Sequence, residues 1–587
     1  MHKFFHKIRI GISGLSACVL LLGGCSGNSG TGQISPTISA PVDFSSFVEE
    51  TFREYATSDS LSLHYTMETP ENFGITKPAV SLGHFSVKEL QASVEAAKEK
   101  LATLKRFSKD TLTEEERLLY DLLEYAFTYS VLPEECLLYD SPLGPATGLQ
   151  TQLPILLAEY RFSSLSDVED YFLLLQDLPS YFSDLCAFER ERSAAGTQAC
   201  SEVLRRIILQ CEAFIENPGD NFLIAGFPDR LAVLPDLSTA KRAELSVENQ
   251  RLVLTKVIPA YEQLITTLKE LCDEAVAPKG LCDYPQGRSY YDLLVHSSTG
   301  TEKSPEELIL WLEEQLQINL SAMASFYKQE GFATQLEQYF ANGLSFGSPD
   351  AILSDLQTRL CNDFPKPATV SCRVENVHAS LEDFISPALY LVPPLDGYTD
   401  NVIYINQAKC TKESLFSTLA HEGYPGHLYQ NTYFAANNPH PLRMLLNFTG
   451  YDEGWATYAE CFAYRYADCS KELQEFLVAE QIAGLCLYSL SDLRIHYLGQ
   501  DLQEIVAFLE KYGFSKENAE EVYYSQLAEP AIYLPYTVGY LEICRLRDLY
   551  LEIAGADASL LPFHTFFLTT GPTPFSLLQT KLEETFR

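Results

Sequence analysis

The residues His421-Glu422-Gly423-Tyr424-Pro425-Gly426-His427 and the later run Glu453-Gly454-Trp455-Ala456 are those able to do chemistry in this chain. Two histidines supply neutral imidazole nitrogens, and a later carboxylate can complete a three-ligand zinc site with one position open for water. Glu422, beside the first histidine, is placed to take a proton from that water. This is the residue inventory of a zinc hydrolase.

The spacing is unusual. In H-E-x-x-H the two histidines lie one turn apart on one helix face. Here His427 comes six positions after His421. At about 100° per residue that is roughly 240° round an ideal helix, so an unbroken helix would point the rings apart. Gly423 and Gly426 relax the backbone between them, and Pro425 removes an amide donor and clashes with the preceding turn. The segment predicts a helix over Ser414–Glu422 that breaks at Gly423–Gly426 and brings His427 back to the metal. The alternative is a helix end with two incidental histidines.

His-Glu-Gly-Tyr-Pro-Gly-His followed by Glu-Gly-Trp-Ala-x-Tyr resembles the bacterial DUF885 family, a group of zincin-like metallopeptidases. The resemblance runs from about Asp43 to the C-terminus. It takes in Gly148–Pro154, Tyr390-Leu391-Val392-Pro393-Pro394, Asp492-x-x-x-His496, Tyr536-x-x-Gly539-Tyr540 and Phe563-His564. It implies a mainly helical, gluzincin-like domain with a deep cleft, and one zinc ion per chain held by His421, His427 and Glu453. Asp452 is a rival third ligand, with helix N-cap as its other role. Glu460, seven positions after Glu453 on nearly the same helix face, is expected to hydrogen-bond His421 or His427.

The oxyanion formed by attack on a carbonyl needs a donor beyond the metal. By resemblance His496 and Tyr536 take that role, with Tyr540 behind Tyr536. The family pattern has glycine where Arg494 stands. Arg547 matches a basic residue of the family and would hold a substrate C-terminal carboxylate, with Arg545 and Arg494 in reserve; a salt bridge to an acidic neighbour is its other reading. That assignment leans towards carboxypeptidase-like cleavage. Val402–Asn406, just before the metal-binding helix, is expected to be the cleft-edge strand on which a substrate backbone adds, with Tyr404 as a substrate contact. His564 is read as structural.

The elements that must position these residues are helical. Amphipathic stretches cover Ser86–Phe107, Asp167–Phe188, Ser246–Ala275, Ser304–Lys328, Gly454–Ala467, Lys471–Tyr497 and Lys516–Ala528. Ser304-Pro305-Glu306-Glu307 adds a capping signature with proline at the first helical position. Strand signals are confined to Ala368–Glu375, Leu389–Val392 and Val402–Ile405. A mainly α chain with one large domain over 43–587 and a small sheet beside the metal-binding helix follows.

At the N-terminus, Lys3, Lys7 and Arg9 precede an apolar run from Ile10 to Leu22, and Leu22-Gly23-Gly24-Cys25 resembles a lipobox. Residues 1–24 are then a signal peptide, Cys25 the lipidated residue, and 25–42 a flexible tether. This predicts a lipid-anchored protein on the extracytoplasmic face of a bacterial membrane; a plain secretory signal or an uncleaved anchor is the alternative. No later stretch reads as a membrane span. The net charge of −37, from 79 acidic and 42 basic residues, argues against nucleic acid and against lying flat on anionic lipid. The fifteen cysteines include no C-x-x-C and read mostly as free thiols; Cys272–Cys282 and Cys361–Cys372 are the candidate bridges. The expected function is zinc-dependent hydrolysis of short peptides. The alternatives are a peptide- or solute-binding lipoprotein without turnover and a metal-dependent amidase or esterase.

Overall fold

A computed structural model describes residues 43–274, 276–344, 347–377, 382 and 386–587. The signal peptide, Cys25 and the tether lie outside the described residues. Eight helices matter for the site: α1 (Leu165–Ala195), α2 (Pro305–Phe326), α3 (Leu415–Glu422), α4 (His427–Ala436), α5 (Thr449–Ala463), α6 (Lys471–His496), α7 (Lys516–Ala528) and α8 (Leu534–Ala554). Three strands accompany them: β1 (Ser371–Asn376), β2 (Ala388–Leu391) and β3 (Asp400–Ile405). The chain is mainly helical, as its periodicity predicts.

Local chemistry sets the helix ends. Ser304 caps α2 with a reciprocal bond to Glu307, and Pro305 occupies the first turn, where its missing N–H costs nothing. The single helix expected over Ser246–Ala275 is interrupted: Thr239–Leu252 passes through a π turn at Val253–Val257 into Ile258–Cys272. Pro259 opens that last helix and cannot donate the hydrogen bond that would keep the ladder regular.

The sheet separates two hydrophobic cores. Its order is β1-β3-β2, with β1 parallel and β2 antiparallel to β3. Side chains alternate across it. Tyr390, Ile403 and Ile405 enter the larger core, which holds α2 to α8, whereas Leu389 enters a second core built around α1 and residues 149–271. Tyr404, opposite Leu389 in register, packs on that second core too. Tyr524 and Leu527 of α7 touch both cores.

The metal-site elements sit in the larger core. α5 and α8 approach so closely that a Cβ on Gly454 would lie 2.5 Å from the Gly539 backbone, closer than atoms tolerate. Gly454 of the Glu-Gly-Trp-Ala run is therefore a contact point between helices. α6 is long and apolar enough to cross a bilayer by length and composition, contrary to the sequence reading, yet most of that stretch is buried within the protein. The thirteen described cysteines are all free, so neither candidate bridge forms.

Gly454→Ala should lower stability by about 1–3 kcal/mol, the usual cost of overpacking a core. A denaturant titration against wild type measures it; an unchanged midpoint and slope would mean that the helices separate freely.

Candidate metal centre

α3 ends at Glu422 and α4 begins at His427, so the helix breaks where the sequence places the break. Pro425 occupies the position whose N–H would have bonded the His421 carbonyl in a continuing helix. Gly426 passes directly over that carbonyl, and a Cβ there would lie 1.7 Å from the His421 oxygen. The chain turns back on itself, and α4 takes up with bonds from Tyr429 N–H to the Gly423 carbonyl and from Gln430 N–H to the Gly426 carbonyl.

This turn brings the two imidazoles together. Their ring centres are 4.9 Å apart with planes 83° apart. Glu453, on the second turn of α5, completes the group: one ligand atom from each of His421, His427 and Glu453 lies within 4.8 Å of the others. His421 Nε2 is 3.6 Å and His427 Nε2 3.5 Å from Glu453 Oε2. These separations are too long for good hydrogen bonds. They match the edge of about 3.4 Å between ligand atoms in a tetrahedral zinc site with bonds near 2.1 Å.

The three converging atoms are buried and have no hydrogen-bond partner. Leaving such groups unpaired costs about 1–3 kcal/mol each, a penalty that a divalent cation would remove for all three together. The electrostatics agree. Burial alone would lower the His421 pKa, yet the carboxylates of Glu453 and Glu460 beside it raise it to about 10. Burial would raise that of Glu453, and His427 and His421 hold it below the usual carboxylate value. The site concentrates negative charge on two imidazoles, and a cation is the natural counter-charge.

The surroundings orient these groups. Glu460 Oε2 lies 3.3 Å from His421 Nδ1, the position expected of it. Glu422 is fully buried, and its Oε2 accepts the Tyr390 backbone N–H at 2.9 Å. The Trp455 indole N–H donates to the Pro425 carbonyl at 2.9 Å. Tyr536 stacks beside His421, ring centres 6.3 Å apart. Asp452 is outside the metal group and sits inside the first turns of α5, so it is not the N-cap; burial pushes its carboxyl up to about 7.

Four expected placements change. β3 is the central strand, paired on both sides, and cannot accept a substrate strand. The edge strand beside Glu422 is β2. Tyr404 faces the second core and donates to Glu159 at 2.6 Å, on the sheet face away from α3. His496 has both ring nitrogens committed to backbone: Nδ1 accepts Leu281 N–H at 3.2 Å, and Nε2 bonds the Gln526 carbonyl at 2.8 Å. It ties α6 to the end of α7. Its companion Asp492 accepts Tyr291 O–H and, at 2.8 Å, the N–H of Ala531, which holds a positive φ of 65° before α8.

The fourth change concerns the cations. Arg547 pairs with Asp548 at 2.7 Å and lies eleven residues beyond Tyr536, about 16 Å along α8. Arg545 pairs with Glu542, and Arg494 with Glu313. None is placed to hold a carboxylate beside the metal group. Tyr540, one turn after Tyr536, is half-buried beside Cys544 and Cys461, and desolvation of its hydroxyl raises the pKa well above normal. His564 is structural as expected, bonding the Asp363 carbonyl and Tyr458 O–H. Trp455 and Tyr390 are the contributors the sequence reading missed. Trp455 lay in plain view inside the Glu-Gly-Trp-Ala run, whereas a backbone N–H such as that of Tyr390 leaves no residue-type signal.

The model of a family described as bacterial protein of unknown function (DUF885) matches residues 69–582. The chain belongs to the DUF885 family. No curated protein matches it. Among solved structures, a "putative lipoprotein" from Colwellia psychrerythraea superposes with a TM-score of 0.83 at 16% identity, covering 94% of this chain and 100% of that one. A "putative lipoprotein of unknown function" from Shewanella oneidensis gives a TM-score of 0.63 at 16% identity, covering 92% and 100%. Likeness at this identity establishes the fold of this DUF885 protein and nothing finer.

Burial lowers the His496 pKa to about 4. The unfolded chain protonates this histidine near 6.5, the folded protein only near 4, so stability is lost as pH falls between those values. His496→Gln, compared with wild type in metal-free buffer, should flatten the dependence of unfolding free energy on pH in that window by about 1.4 kcal/mol per unit. Parallel curves would show that His496 titrates normally.

Proposed function

We propose that this DUF885 protein is a zinc-dependent hydrolase of gluzincin type that cleaves short peptides. The observation that carries the reading is the convergence of His421 Nε2, His427 Nε2 and Glu453 Oε2, buried and without hydrogen-bond partners, at separations that suit a tetrahedral ion. Zinc held there would act as a Lewis acid towards a carbonyl and make water acidic enough to attack at neutral pH.

The chain's own residues supply the remaining parts. Glu422 follows the first ligand on α3, and the Tyr390 N–H fixes one of its oxygens, leaving the carboxylate oriented to take the proton of the attacking water. Tyr536, beside His421, is the donor for the developing oxyanion. Glu460 holds His421 in the orientation that presents Nε2. β2, the strand beside Glu422, is the part of the sheet along which an extended peptide backbone would run. The acidic composition, and the pairing of Arg547, Arg545 and Arg494 with other carboxylates, favour substrates recognised through their backbone over those read by a terminal carboxylate.

The Leu22-Gly23-Gly24-Cys25 segment supports lipidation at Cys25 and residence on the extracytoplasmic face of a bacterial membrane, with contact to lipid through that anchor alone. The lipoprotein descriptions of the two similar structures point the same way.

Glu422→Gln retains an oxygen acceptor for the Tyr390 N–H and removes the base. It should bind one zinc per chain as wild type does and lose at least about 100-fold in turnover of a mixed peptide library, the usual contribution of general-base catalysis. Equal turnover with normal zinc content would remove Glu422 from the mechanism. Zinc and peptide binding by wild type without any product would favour the binding-protein reading.

A further inference from the structure

The metal-binding residues come from two separate parts of the chain. His421 and His427 flank the helix break, and Glu453 stands on α5. Two polar contacts cross from the helix carrying Glu453 to the histidine segment: Glu460 Oε2 meets His421 Nδ1 at 3.3 Å, and Trp455 Nε1 donates to the Pro425 carbonyl at 2.9 Å, the one that reaches the turn itself. Trp455 is two residues from Glu453, and Pro425 is two residues from His427. We propose that Trp455 is a positioning residue that locks the third ligand to the first two and so preorganises the metal site.

The surroundings suit that role. Trp455 is fully buried. Its ring stacks on Phe567 at 5.0 Å with planes 17° apart, and meets Phe364 edge-on at 5.9 Å. The indole is thus held on its faces and edge, and its N–H has a fixed direction. The acceptor lies on a tight turn. Pro425 fixes its own φ, and Gly426 passes over the His421 carbonyl with no space for a Cβ. On α5, Gly454, between Glu453 and Trp455, packs directly against the Gly539 backbone of α8. Without the indole bond the Tyr424–Gly426 turn could sample positions in which His427 points elsewhere. Only the fraction of molecules with all three ligands aligned binds metal, and apparent affinity falls by that fraction.

The inference rests on the metal reading of the site and is tested by zinc affinity, not turnover. Trp455→Phe keeps a buried aromatic ring and removes the donor. Competition against a chromophoric chelator should show zinc binding weakened by about tenfold or more, the usual cost of losing a group that orients a ligand, with one site per chain retained. A purely structural role lowers the thermal midpoint of the metal-free and zinc-loaded forms alike and leaves affinity at the wild-type value; that result overturns the proposal. If Trp455→Phe does not fold, β-(3-benzothienyl)alanine at position 455, which replaces the N–H by sulfur within the same bicyclic shape, answers the same question. Wild-type affinity in that protein overturns the proposal, and a tenfold loss sustains it. Wild type binding no zinc would overturn the hydrolase reading as well. Wild type that binds zinc without hydrolysing peptides overturns the hydrolase reading alone.

Discussion

Two histidines six residues apart can face one point only if the helix between them is broken, and the rest of the site follows from that constraint. Pro425 denies the His421 carbonyl its helical partner, and Gly426 admits a chain reversal that any side chain would block. The reversal exposes a carbonyl, at Pro425, that needs a donor. Trp455 supplies it from α5, the helix that carries Glu453 and Glu460. Breaking the helix and recruiting the third ligand are thus parts of one arrangement.

The cores explain why so polar a centre can be buried. α5 is enclosed by α3, α4 and α8, and from Glu453 to Ala463 every residue is buried. Within that shell Glu453 and Glu460 face the histidines, and the rings of Trp455, Tyr458 and Phe462 pack among Phe567, His564 and Phe364. The sheet contributes at its other end. β2 gives the Tyr390 N–H to Glu422 while its neighbour Leu389 faces the second core, so the carboxylate that would act as base is anchored to the layer dividing the two halves of the protein.

Much of this was legible in the sequence, for physical reasons. Proline and glycine at fixed offsets from two histidines state a backbone requirement, and the break was readable from them. The seven-residue spacing of Glu453 and Glu460 states a helix face. Long-range relations were not legible. The Asp492 and His496 spacing looks like a catalytic element, yet their partners, the Tyr291 hydroxyl, the N–H groups of Ala531 and Leu281 and the carbonyl of Gln526, are groups distant in the chain. The position of β3 depended on strand order, which three short strand signals do not encode, and Tyr404 went to the wrong face with it. Arg547 looked available because its partner, Asp548, is one among many acidic residues of a chain with net charge −37.

The central claim is that His421, His427 and Glu453 form one metal site. X-ray absorption at the zinc edge on the zinc-loaded protein tests it most directly. The account predicts one zinc per chain with two imidazole nitrogens and oxygen ligands near 2.0–2.1 Å, and a shell that loses one imidazole in His427→Ala. Zinc with sulfur neighbours near 2.3 Å, or an imidazole count unchanged in His427→Ala, would contradict it.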